Sequence, residues 1–145
     1  MNPFQNTFQS RLREWRGLRN LLIYGLAPEP LIEVDTWWQQ APIVNHYLHP
    51  LDTASWPDPW TLLSDNVYCQ LTRAVGICYT LLLSNIDSIE LVQAVDTGCV
   101  EHNLVLVDGA KYILNYYPGC VLSIHLKDFT VKKVLPIEAL KEKIK

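Results

Sequence analysis

Apolar positions in the first part of the chain recur at helical spacing. Phe4, Phe8, Leu12, Trp15, Leu18 and Leu22 follow one another at steps of three or four, which puts them on one stripe of an amphipathic helix over 4–25. Asn2 before Pro3 reads as a cap followed by a first-turn proline, and Gly25 with Pro28 and Pro30 as the helix end. Leu31, Val34, Trp37 and Trp38 give the inward side of a second helix over 30–40, closed by Pro42, and a short turn is expected over 43–48. The segment 49–60 carries Trp56 and Trp60 among Pro57 and Pro59. Large apolar rings on a stiff backbone predict a packed loop. Val67, Leu71, Ala74 and Val75 form the stripe of a third helix over 61–75, with Ser64-Asp65-Asn66 as a capping cluster and Gly76 as its break. The apolar run over 77–83 fits either a continued helix or a buried strand.

From about residue 88 the period changes to two. Strands are expected over 89–95, 100–107, 111–117, 121–126 and 129–135, with turns at Asp108-Gly109, Pro118-Gly119 and Lys127-Asp128, and Pro136 opens a terminal helix over 137–144. The fold class is therefore α+β: N-terminal helices packed on a C-terminal antiparallel sheet of about five strands. A single domain over 1–145 accounts for the pattern, with a helical part over 1–48, the Trp/Pro loop over 49–60, and the helix, sheet and terminal helix over 61–145.

Composition supports a packed domain. Of 145 residues, 49% are apolar and 19% charged, enough for a core and too few charges for a disordered chain. No apolar run approaches the roughly 20 residues of a membrane span, and no basic flank leads into an apolar N-terminal segment, so neither a membrane partner nor a signal peptide is expected. The four cysteines include no CxxC pair. Free thiols are expected, with Cys78, Cys99 and Cys120 in the core. Charge is unevenly placed. Residues 1–25 hold four Arg and one Glu, 26–110 one Arg and eleven acids, and 111–145 seven Lys and three acids. Solvated helix faces account for this, and so does docking of the basic ends on an acidic partner. No basic patch is interleaved with exposed aromatics, which argues against nucleic acid.

The chemistry-bearing candidates sit around one hairpin. If Asp108-Gly109 is a two-residue loop, Val107 pairs with Ala110 and His102 lies across from Asn115 on the same face, roughly 5 Å apart at the β-carbon. If the loop is Gly109-Ala110, His102 faces Tyr117 instead. Cys69, near a predicted helix start, is the candidate nucleophile, and Cys69, His102 and Asn115 together would make a Cys–His–Asn triad: thiolate attack, imidazole as base then acid, amide orienting the ring. His46 and His49, three apart, with His125 remote, form too sparse a set for a metal, and no phosphate loop or other cofactor motif occurs.

Two resemblances bear on these residues. YCQLTRAVGI around Cys69 and EHNLVLVDGAKYILNYYPG, covering His102 and Asn115, resemble the transglutaminase-like group of the papain-like superfamily over about 69–119. That resemblance implies a Cys-bearing helix packed on an antiparallel sheet. Val67-Tyr68 stands where the group has a small or Gly-rich, Trp-bearing lead-in, and Asn103-Leu104 replaces its aromatic after the His, so the implied scaffold is one whose chemistry is lost. The stretch DTWWQQAP followed by WPDPWTLLSDNVYCQLTRAVGICYTLLL is similar to small virion proteins of tailed bacteriophages, over about 35–83. This implies a structural or assembly role in tail, neck or baseplate, assembled in the host cytoplasm, with other virion proteins or further copies of the chain as partners. Trp37, Trp38, Trp56 and Trp60, with Arg13 and Arg16, are then the candidate interface residues, although the tryptophans serve equally to fill the helix–sheet junction. The alternative is an active cysteine protease, amidase or acyltransferase using Cys69, His102 and Asn115.

Overall fold

The computed structural model describes residues 2–44, 46–117, 120–122 and 128–145. The fold is α+β. Four antiparallel strands, β1 (Ile89–Asp96), β2 (Glu101–Val107), β3 (Tyr112–Tyr117) and β5 (Phe129–Leu135), form the body of the sheet. A three-residue segment, β4 (Cys120–Leu122), lies at one edge, giving the order β4-β3-β2-β1-β5. Of the strand expected over 121–126, only the beginning is described. The Pro118-Gly119 turn, Lys127, His125 and the Cys120 side chain fall outside the described residues.

Among the described residues, five α-helices accompany the sheet: α1 (Phe8–Leu21), α2 (Pro28–Gln39), α3 (Pro59–Asp65), α4 (Gln70–Leu82) and α5 (Ile137–Glu142). Local chemistry explains where they begin and end. The first predicted helix is divided. A 3-10 turn, Pro3–Gln5, is capped by Asn2, and Thr7 then caps α1 by accepting from the Ser10 N–H at 3.2 Å. Pro28 opens α2 instead of closing α1, which suits a residue that lacks the N–H of a first helical turn. The third predicted helix is also two. Asp58 caps α3, and Asn66 ends it in the left-handed region at φ 57°, so the cluster read as an N-cap is a helix end. The short turn expected over 43–48 is not formed among the described residues there; Ile43 instead bridges Tyr68 in parallel.

The hub is α4. Every residue from Leu71 to Leu82 is buried, and the helix packs against the other four and against β1, β2 and β3. The run that left helix and strand open is thus the middle and end of a helix that is buried all round, its polar Thr72, Arg73 and Thr80 included. Gly76 does not break it. A β-carbon there would lie 2.5 Å from the Trp38 ring, so the glycine lets the indole seat against the helix backbone. One turn later, the Thr80 hydroxyl donates to the Gly76 carbonyl and accepts from both the Trp15 and Trp38 indole N–H groups, at 2.8 and 2.9 Å. One side chain thereby satisfies two buried donors.

Phe4, Trp37, Trp38 and Tyr68 complete an aromatic cluster beside it, with Phe4–Trp37 ring centroids 4.7 Å apart. The 49–60 loop is packed as expected. Trp56 is buried and donates to the His49 carbonyl, and the Pro57 carbonyl accepts from the Tyr79 hydroxyl. Trp37, Trp38 and Trp56 are therefore core residues, which removes them from the candidate interface, whereas Trp60, Arg13 and Arg16 are exposed. Arg11 is buried: its guanidinium donates twice to the Leu63 carbonyl and once to that of Asn6, tying α1 to the end of α3.

Candidate functional site

The β2–β3 hairpin decides where the candidate site residues go. Val107 pairs with Tyr112, Leu106 with Ile113 and Val105 with Leu114, so the register is that of the Gly109-Ala110 alternative. Asp108, Gly109 and Ala110 all take positive φ, and the Lys111 N–H closes the turn on the Asp108 carbonyl. In this register His102 is not across from Asn115. The regular ladder stops at Val105–Leu114, because Asn115 itself adopts φ 68°, which turns the strand out of pleat.

The two residues consequently serve opposite faces. His102 shares its face with Leu104 and Leu106. Its ring meets those of Tyr116 and Phe129 edge-on at 5.3 and 5.2 Å, and its Nε2 lies 2.9 Å from Oδ2 of Asp96. Asp96 also accepts from the Gly98 and Val100 N–H groups in the β1–β2 turn. The His102 hydrogen bond, then these backbone donors, holds its carboxyl below the usual range.

Asn115 is buried on the helix-covered face. Its side-chain amide donates to the Asn103 and Gln70 carbonyls, and its oxygen accepts from Gln39 Nε2. Its backbone N–H, released from the ladder, donates to Oδ1 of the fully buried Asp35 at 2.8 Å. Arg73, from α4, completes this network by donating to Gln39 Oε1 and the Ala41 carbonyl. Burial pulls the Arg73 pKa down and the charge of Asp35 pulls it back up.

Cys69 is the N-cap residue of α4, and its side chain caps nothing; Sγ lies 3.1 Å from the Thr72 hydroxyl. The thiol lines a groove of about 460 Å³. Ile43, Val44 and Tyr47 form one wall and Gln93, Glu101 and Asn103 the other, with His46 also lining it. Gln93 and Asn103 face each other across β1 and β2 and hydrogen-bond at 3.1 Å. The predicted triad is thus dispersed. Asn115 lies beside Gln70, the neighbour of Cys69, but His102 lies on the other face of the sheet, and Asn103 and Glu101 occupy the strand positions turned toward the thiol. Among the other cysteines, Cys78 is buried, with its thiol pKa pushed well up by desolvation, and Cys99 is exposed in the β1–β2 turn at φ 64°, contrary to the expectation that it is a core residue.

Asp96, Asp35, Gln39 and Arg73 are the polar residues that pattern reading passed over. Two of them left a signal. Asp35 sits four residues after Leu31 and three before Trp38, on the apolar stripe of α2, and Arg73 is the one Arg among the eleven acids of 26–110. A charge on a buried stripe calls for a partner. No protein family, curated protein or solved structure matches the chain.

Proposed function

We propose that the chain is a non-catalytic assembly component of a tailed-bacteriophage virion, in tail, neck or baseplate, carried on a transglutaminase-like scaffold. The observation that carries the non-catalytic part is the placement of His102 across the sheet from Cys69, with Asp96 as its partner. A Cys–His pair works only within hydrogen-bonding reach, and a β-sheet between the two forbids it. The virion part is supported by the WW-x-x-AP and WP-x-PW segments. In this fold their tryptophans build the core around Trp38 and Trp56, so the resemblance marks a shared interior more than a shared surface. Exposed Ile43, Val44, Tyr47 and Leu51 beside the Cys69 groove, with Trp60 on α3, supply apolar surface of the kind that assemblies cover.

Two measurements test this. Mass spectrometry of purified particles of the encoding phage is expected to recover the chain; recovery only as a free monomer outside particles would refute the assembly role. In a Cys99→Ser background, iodoacetamide labelling of native Cys69 is expected to proceed at the same rate in His102→Ala and His46→Ala variants. The second substitution matters because His46 lines the same groove as Cys69, which favours a cysteine hydrolase using His46 as its base as the second reading. A loss of about tenfold or more in labelling rate on removing His46 would establish that reading instead.

A further inference from the structure

A second concavity lies at the other end of α4, where the last turns of α1 and α4 meet, and encloses about 690 Å³. Arg16 and Arg19 line it together with Asn20, Ile23, Ser84 and Asn85, and no acid is among its lining residues. Neither guanidinium makes a hydrogen bond or ion pair to another described residue. Arg19 is held in place by Trp15, whose ring lies 4.4 Å below it, and its buried Nε has no acceptor. Asp87, the nearest acid in sequence to Asn85, lines an adjoining hollow with Lys141, the two hollows sharing Asn85. Two like charges sit side by side here, Arg19 held by the indole and Arg16 exposed, and that proximity, after burial, lowers the Arg19 pKa. Such a pair lacks a counter-anion. Ile23 lines the cleft and is exposed, and its chain neighbours Leu21 and Tyr24 are exposed as well, Tyr24 at 96%. An isolated Leu or Ile on a surface means little. Three exposed apolar side chains within four residues, one of them lining the cleft of an uncompensated Arg pair, mark a place where both charge and area can be covered.

We propose that this cleft receives an acidic segment of a separate protein partner, with one carboxylate bridging Arg16 and Arg19 and flanking aliphatic side chains resting on Ile23 and Tyr24. Arg forks match carboxylates in bidentate geometry, and the apolar rim favours a peptide over a free phosphate, which would leave the rim wet. With only two Arg in the cleft and a chain of net charge −3, a nucleic-acid backbone is the poorer fit. The proposal stands on the cleft alone. It can fail while the chain is still found in particles, and it can hold if the chain is not a virion protein.

The test is fluorescence anisotropy on the full chain with a fluorescein-labelled, acetylated Leu-Glu-Leu-Glu-Leu peptide and its Leu-Gln-Leu-Gln-Leu counterpart. The Glu peptide is expected to bind in a salt-dependent manner, and the Gln peptide at least about tenfold more weakly. Arg16 is exposed, so Arg16→Gln is expected to leave the fold intact and to weaken the Glu peptide about tenfold, with partial recovery in Arg16→Lys and a severalfold loss in Ile23→Ser. Equal binding of the two peptides, or no effect of Arg16→Gln, overturns the proposal. So does a 12-base-pair duplex or inorganic phosphate that binds more tightly than the Glu peptide. Concentration-dependent self-association that disappears in Arg16→Gln would put a second copy in the cleft, and would equally overturn a separate partner.

Discussion

The two faces of the sheet treat their polar groups in opposite ways. On the helix-covered face, Asp35, Arg73 and Asn115 are buried, and with Gln39 they are joined through shared hydrogen bonds. Burial takes most of their polar groups out of reach of water, so these find partners inside the protein, with Arg73 Nε left over. On the other face, His102 and Asp96 remain partly exposed at the margin of a small cluster built from strand residues alone: Val92, Ala94, Leu104, Leu106, Ile113 and Phe129. The residue pair that looks most like chemistry is thus a half-solvated surface pair. The residues that look like ordinary surface acids and bases in sequence hold the α2–α4–β3 junction together.

That contrast can be broken most forcefully at Asp35. Replacing it with Ala leaves Arg73 buried without its counter-charge and takes the acceptor from the Asn115 N–H. The expected loss is about 3–5 kcal/mol, read as a shift of the urea midpoint. A loss below about 1 kcal/mol would mean the covered face tolerates its charges without the network. Thr80→Val comes next. It keeps the shape but leaves the Trp15 and Trp38 indole N–H groups without an acceptor, at about 1–3 kcal/mol each, so about 2–4 kcal/mol in all allowing for relaxation, with a change in tryptophan emission. Stability unchanged in Thr80→Val would show that the two indoles find other acceptors.

The smallest effect belongs to the open face. His102→Ala removes ring-edge contacts with Tyr116 and Phe129, at about 0.5–1.5 kcal/mol, and should leave the covered face untouched. It also sharpens a pH prediction. The Asp96 carboxyl is depressed in the folded state, so its contribution is complete above the ordinary carboxylate range and is lost as pH falls through its lowered folded pKa. In His102→Ala the Asp96 pKa, followed by NMR titration, should rise toward the ordinary value of about 3.9. A pKa that does not move would assign the depression to the Gly98 and Val100 amides instead.

Much of this fold was legible before any coordinates. Period-two alternation after residue 88 locates the long strands to within a residue or two, and the stripes of α1 and α2 name most of their buried positions. Helix boundaries were harder. Asn66 and Pro28 each have two meanings, cap or end, and end or start, and only the neighbouring turn selects between them. Arg11, Asp35 and Arg73 escaped because charge predicts exposure unless a partner is known, and their partners lie 30 to 50 residues away or more in the chain.

The α+β class, the order of helices before strands, and the residues able to do chemistry are properties of the sequence itself, because apolar periodicity and turn residues are local signals. Which side of the sheet each of those residues faces was decided only in three dimensions. Asp108-Gly109-Ala110 admits more than one turn, and a two-residue offset in pairing costs little locally. Either pairing puts Val105, Val107, Tyr112 and Leu114 on the face under α4, because an offset of two keeps every side chain on its own face; what parts Asn115 from His102 is the positive φ of Asn115, which turns it out of pleat to meet Asp35. That conformation sets Asn115 against the helices and leaves His102 on the far side of the sheet with Asp96.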